Sequence, residues 1–472
     1  MKVLQNAPRT PDKYLEHLRD DREVYYRGER VEDVTTHAEL GIAARHAALD
    51  FEFTCDPANA DLAITDGFST FYALPRSPSD LRRRSALIEA STVHGETLVS
   101  LVREIGTDAL FALLRVMYDT ETYDRVDAYY KRCRDNDLAL AVAQTDVKGD
   151  RSRGPEGQSD PDLYVRAVEQ GKDGIVVRGA KAHTSCTANV DEIIVIPTRA
   201  LSVGEESWAV AFAVPVATPG LKIFCSDFQH GADDPWTHPV SSKHKMVETL
   251  TVFEDVFVPW ERVFLCGDVK RAGLLALSFV EYHRFTAVSY KLPLVDAFVG
   301  LAICLADANG IARASHARDK LTWLIAYAET VRGLTHLAAE RALIDRPIGI
   351  AYPHPLTTNL AKWTFARDYF GAVERLIDLA GGLLVTGPGG SDWAAAEVRP
   401  YLEKYLAAAV PADERLRLMN LASDLLVRTY GGYQGVLAIH AEGSIEAEKL
   451  VLYRSYDPEP AVAFVRKMAG KR

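Results

Sequence analysis

Two polar stretches carry the side chains with the most chemical reach. The first is 144–151 (QTDVKGDR), which supplies Gln144, Thr145, Lys148, Asp150 and Arg151. The second follows a β-branched run, Ile175, Val176 and Val177, bracketed by Asp173, Gly174 and Gly179, and supplies His183, Thr184 and Ser185. A strand that runs into a bend of small hydroxyl residues offers amides and hydroxyls to a flat polar ligand. An ordinary β-turn has the same composition; the upstream polar stretch is what favours a site. A third group, His283, Arg284 and Tyr290, lies in an apolar, helix-patterned segment, with Tyr290 two turns beyond His283 on one face. An imidazole there serves as acid or base toward a bound substrate, or as a satisfied core residue. Tyr290 divides between the same two roles. Glu248 comes just after Lys243, His244 and Lys245, and is either a site carboxylate or an ion-paired strand end. Thr386 sits in the glycine-rich break 381–390, which is either a helix C-cap with its loop or a backbone nest for a phosphate.

The elements that must position these groups change character twice. Residues 1–140 form a mainly helical domain. Ser77, Pro78 and Asp80 mark a helix start that extends to about Gly106, with Leu98, Leu101, Val102 and Ile105 facing the core. Residues 141–267 turn to short apolar runs separated by Gly, Pro, Asp and Ser: 175–177, 193–196, 208–214, 221–224, 250–253 and 256–258. They predict a β-barrel or sandwich, closed off at Pro259. Residues 268–472 return to helix: a long segment over 274–305, then 309–343, 358–379 and 415–428, with a turn at Tyr430, Gly431, Gly432 and Tyr433. Glu281, His283, Arg284, Lys291 and Asp296 make the first of these a bundle helix rather than a membrane span. The fold class is α+β, a β-domain between two helical domains, an arrangement that can enclose a flavin between sheet and bundle.

Composition narrows the function. The chain has 472 residues, a net charge of −11 and no basic block, which argues against nucleic acid as a partner. Six scattered cysteines have neither C-x-x-C nor C-x-x-x-C spacing and fit a reducing compartment. No signal-peptide core and no uncharged run of membrane-spanning length is present, so a cytoplasmic location is expected. No G-x-G-x-x-G follows a strand, so any reducing equivalents must come from elsewhere.

With these motifs in place the chain resembles a flavoprotein family that contains the large component of 4-hydroxyphenylacetate 3-monooxygenase and 4-hydroxybutyryl-CoA dehydratase, similar in fold to acyl-CoA dehydrogenases. The resemblance rests on 25–37 (YYRGERVEDVTTH), 146–151 (DVKGDR), 160–163 (DPDL), 173–183 (DGIVVRGAKAH), 252–259 (VFEDVFVP), 282–284 (YHR) and 380–386 (AGGLLVT), and covers nearly the whole chain. It implies FAD, used as FADH2, contacted by Gln144, Thr145, Lys148, Asp150, Arg151, His183, Thr184, Ser185 and Thr386. It also implies a homotetramer with shared flavin sites. The departures are informative. The dehydratase's cluster histidine falls on His283, but its three cysteines fall on Tyr290 and near Ser100 and Glu104. One imidazole cannot hold an iron–sulfur cluster, so none is expected, nor any other metal. The dehydratase's C-terminal acid falls on Leu437 and a tyrosine on Ala287, while Glu248 is retained. The phenol hydroxylases' histidine falls on Val142, and their Arg-x-x-x-Tyr pair has no counterpart near 100–106.

Three functions follow as expectations. The first is a two-component monooxygenase that takes FADH2 from a separate flavin reductase and oxidises a small aromatic or related substrate, with His283, Arg284, Tyr290 and Glu248 as catalytic candidates. The second is a cluster-free dehydratase or isomerase acting on a CoA thioester. The third is a flavin-binding scaffold without activity.

Overall fold

The computed structural model describes residues 8–96, 102–227 and 234–470. The helix start at Ser77 forms as expected: the Ser77 side chain accepts from Asp80 N and Pro78 occupies the first turn. The helix is shorter than its pattern. Pro78–His94 stops at Gly95, Glu96 takes a left-handed φ of +48°, and a second helix, Glu104–Met117, begins eight residues later. Leu98 and Leu101 lie outside the described residues.

The β-domain is two sheets. One runs, in spatial order, Glu29–Val31, Glu23–Tyr26, Leu221–Cys225, Thr249–Pro259, Gly174–Lys181 and Arg166–Gln170. The other runs Val263–Cys266, Val210–Pro215, Glu192–Val195 and Leu140–Ala143. Phe212 and Phe253 meet edge to face across the gap, with centroids 5.7 Å apart. The runs 250–253 and 256–258 are one strand, interrupted by a bulge where Asp255 takes a φ of +51°. The N-terminal region adds a hairpin to this domain. Arg27 and Gly28 both have positive φ, the geometry of a tight two-residue turn, and the strand before them pairs in parallel with Leu221–Cys225.

The long C-terminal helix is two helices, Val269–Tyr290 and Leu292–Ala308. Pro293 has no N–H to continue the first, so the chain breaks at Lys291 and restarts. By length and composition 269–308 could cross a membrane, but 61% of its apolar window is buried inside the chain. Ser315–Glu340, Pro355–Ala380, Ala412–Leu426, Thr429–His440 and Ile445–Ser455 complete the bundle, with a small hairpin, Leu343–Asp345 with Ile350–Tyr352, between the first two. The expected turn at 430–433 is helical instead. Gly431 lies so close to Leu426 that a Cβ would sit 2.3 Å from its carbonyl carbon, so glycine permits a tight helix start.

Two apolar cores meet at the helix break. One joins the N-terminal helices, both sheets and Val269–Tyr290, with Tyr290 at the helix end. The other fills the bundle and starts with Leu292. Lys291 sits on the seam.

Candidate active site

The two polar stretches read from the sequence lie side by side. Asp146 pairs with Lys181, Ala182 N donates to Thr145 O, and Lys181 Nζ donates to Gln144 O and Asp146 Oδ1. The side chains of Gln144 and Thr145 are half-buried and make no hydrogen bond within the described residues. The bend after Gly174–Lys181 is held open by two left-handed residues, His183 (φ +53°) and Cys186 (φ +61°). Backbone bonds from Thr184 N to Thr249 O and from Cys186 N to Val247 O stitch it to the start of the bulged strand. That stitching places Ser185 Oγ 3.0 Å from each oxygen of the Glu248 carboxyl. Tyr433 OH donates to the same group from the bundle at 2.7 Å. Burial raises the Glu248 carboxyl above its ordinary range, against the pull of these two hydroxyls.

Across the seam is a second carboxylate. Glu442 lies in the turn after Thr429–His440, with a φ of +57°. It accepts from Tyr290 OH, from Lys291 Nζ at 2.9 Å, and sits 3.6 Å from Lys362 Nζ. Burial alone would raise Glu442, but Lys291, Lys362 and His283 outweigh it and lower it to about 2. Burial lowers Lys291 to about 8, against the attraction of Glu442. Lys362 also reaches Glu448 at 3.2 Å, and Arg284 Nε donates to Glu442 O at 2.9 Å. Gly443 follows at φ +111°; a Cβ there would lie 2.5 Å from Arg284 Nη2.

His283 stacks on Phe279 with centroids 5.0 Å apart. Its Nδ1 lies 3.6 Å from Asp108 Oδ2 on the facing helix, Glu104–Met117. Glu104, at the start of that helix, is buried and held well above the carboxylate range by burial and by the charge of Asp50. Among the described residues no three or more His, Cys, Asp and Glu side chains group to hold a metal. At the cluster positions the donors are an imidazole facing Asp108, a phenol bound to Glu442 and a buried carboxyl, a set that does not fit an iron–sulfur cluster. Ser100 lies outside the described residues.

The predicted residues therefore divide. Ser185 and Glu248 meet Tyr433 of the bundle, Tyr290 meets Glu442 and His283 faces Asp108, while Gln144 and Thr145 lie on the stretch bonded to Lys181 and Ala182. Thr184 belongs to the scaffold: its buried hydroxyl lies 2.6 Å from that of Thr249 and 2.7 Å from that of Thr251. Arg284 donates to Glu442 O and Asn359 Oδ1 and so holds the 442 turn. His183, Lys148, Asp150 and Arg151 are exposed, and Asp150 is taken up by Ser152 and Arg153. Thr386 is exposed and donates to Gly382 O, a helix-internal bond. The carboxylate from the C-terminal part is Glu442, five residues beyond Leu437. Lys291, Lys362, Tyr433 and Asp108 were also missed. Lys291 showed in the sequence only as one of the charges that mark a bundle helix, and Tyr433 only as part of a turn.

Comparison with known proteins follows this geometry. The family model for the 4-hydroxyphenylacetate 3-hydroxylase N terminal region matches residues 10–265, and that for its C terminal region matches 272–470. The oxygenase component of 4-hydroxyphenylacetate 3-monooxygenase from Thermus thermophilus is 32% identical over 468 residues, covering 96% of this chain and 95% of that one. The 4-hydroxybutyryl-CoA dehydratase/vinylacetyl-CoA-Δ-isomerase of Clostridium aminobutyricum is 30% identical over 495 residues, covering 98% and 99%. Among solved structures, an oxygenase component of 4-hydroxyphenylacetate 3-monooxygenase complexed with FAD superposes with a TM-score of 0.91 at 30% identity, covering 98% of each chain. A glutaryl-coenzyme A dehydrogenase, 13% identical with a TM-score of 0.51 over 89% of this chain and 86% of that one, shares the fold.

Proposed function

The chain belongs to the 4-hydroxyphenylacetate 3-hydroxylase family, and we propose that it is the oxygenase component of a two-component, FAD-dependent monooxygenase acting on a small aromatic substrate. A separate flavin reductase supplies FADH2, consistent with the relatives being oxygenase components and with one named an FADH2-dependent monooxygenase. A cytoplasmic homotetramer is part of this reading; its support is the free, scattered cysteines and the family resemblance.

The observation that carries the proposal is the pairing of the two polar stretches. The Thr145–Ala182 and Gln144–Lys181 bonds bring the first stretch beside the strand that leads into Ser185, and the half-buried side chains of Gln144 and Thr145 make no hydrogen bond among the described residues. These residues would hold the flavin ring's polar edge by hydrogen bonds. FAD supplies the electrons and the oxygen chemistry when bound. The rest falls to the chain's own groups. Ser185 and Tyr433 fix the Glu248 carboxyl as a polar contact for substrate. His283 accepts or returns a substrate proton at Nε2.

The test supplies FADH2 anaerobically, admits 18O-labelled oxygen and offers 4-hydroxyphenylacetate and 4-nitrophenol, the substrates named for relatives. Label in a hydroxylated product supports the proposal. Hydrogen peroxide in full yield with no labelled product contradicts it.

A second reading has its own support: near-full-length similarity to the dehydratase, with Glu248 and His283 retained. It predicts that FAD-loaded protein exchanges α-protons of 4-hydroxybutyryl-CoA with deuterium oxide without oxygen or reductase.

A further inference from the structure

Asp108 is fully buried on the helix Glu104–Met117. Its Oδ1 is saturated, accepting from Arg84 Nη2 at 2.8 Å and from Thr286 Oγ1 at 2.9 Å. Its Oδ2 is buried and has no hydrogen-bond partner among the described residues. The atom it faces, His283 Nδ1 at 3.6 Å, is also buried and also without one among the described residues. Two such groups left unmade are costly, and each is what the other lacks, an acceptor and a donor. The gap is slightly long for a hydrogen bond, as dyads without substrate often are before they tighten.

The ring has little freedom to turn elsewhere. Phe279 stacks on one face at an interplanar angle of 18°, and the helix Val269–Tyr290 fixes the backbone. Nδ1 lies on the buried edge. Nε2 is not among the buried unpaired atoms and makes no hydrogen bond within the described residues, and the side chain keeps 14% exposure. A carboxylate facing Nδ1 selects the tautomer with the proton there and leaves the lone pair on Nε2.

We infer that Asp108 is a positioning residue that sets the tautomer of His283, so that Nε2 is presented as a proton acceptor to a substrate hydroxyl. This rests on the proposed reading that His283 faces substrate. The step balances simply. The substrate O–H bond breaks, its proton forms a bond to Nε2, and the oxygen keeps the electron pair. The resulting imidazolium donates from Nδ1 to Asp108 and later returns one proton to solvent. Arg84 and Thr286 hold the carboxylate in place without competing for Oδ2.

Neutron diffraction from deuterium-exchanged crystals of the full chain at pH 8.5 reads the tautomer directly. A deuteron on Nδ1 alone is expected. A deuteron on Nε2, alone or together with one on Nδ1, overturns the inference. Asp108→Asn keeps the shape but can turn an N–H toward Nδ1 and flip the tautomer. It is expected to lower kcat roughly 100-fold with KM little changed. If this variant does not fold, the wild-type tautomer decides alone. Full activity in Asp108→Asn with an inactive His283→Gln overturns the positioning role and leaves the catalytic reading standing. Full activity in both overturns the catalytic reading itself.

Discussion

Two carboxyls face the junction from opposite sides and have opposite characters. Glu248, on the sheet side, is surrounded by hydroxyls, Ser185 and Tyr433, and burial holds it above its ordinary range. Glu442, on the bundle side, is surrounded by ammonium groups, Lys291 and Lys362, and is held at about 2. The first can exchange a proton or hydrogen-bond to a ligand. The second is a fixed anion whose task is to neutralise two cations on the seam between cores. The neighbours thus set the character of each carboxyl, hydroxyls on Glu248 and ammonium groups on Glu442.

The largest expected effect tests the structural side. Glu442→Gln leaves Lys291 and Lys362 buried with Glu448 as the remaining carboxylate, and should cost about 3–5 kcal/mol in urea unfolding. An effect below about 1 kcal/mol would remove the distinction between the two carboxyls.

Acid titration should expose the same group. Glu442 has a folded value of about 2 against 4.5 unfolded, so its contribution is present above pH 4.5 and disappears as pH falls from there toward 2. The loss is on the order of 3 kcal/mol. It should be absent from the stability–pH curve of Glu442→Gln.

The reactive side should show the reverse pattern. Glu248→Gln should change stability by less than about 1 kcal/mol, since the amide can still accept from Ser185 and Tyr433. Turnover should fall roughly 100-fold, measured as labelled product from FADH2-loaded protein. The smallest effect sharpens the boundary: Tyr290→Phe removes one donor to Glu442 while both lysines remain. It should cost about 1–2 kcal/mol by thermal unfolding and leave the acid limb in place.

The β-domain and the bend after its Gly174–Lys181 strand were legible because they depend on local signals: β-branched runs, Asp173-Gly174, and the hydroxyls of 184–187. The bulged strand read as two because a strand that tolerates Asp255 at positive φ looks interrupted in sequence. The helix pair at Lys291 read as one because apolar periodicity continues across it, and Pro293 was the unused signal. Glu442 was unreadable. Its stretch, Ala441, Glu442, Gly443 and Ser444, has the composition of a surface turn, and only the tertiary position of Lys291 and Lys362 turns its side chain inward. Asp108 was hidden in the same way, an acid on a helix whose partners are 24 to 178 positions distant in the chain.

The most direct test is a crystal structure of the chain soaked with FAD. The isoalloxazine ring is predicted between the Thr145–Ser185 side of the sheet and the helix Val269–Tyr290, with its polar edge on Ser185 and no inorganic centre beside His283. A ring bound away from Ser185, or iron and sulfide density between His283 and Tyr290 in anaerobically grown crystals, would contradict the account.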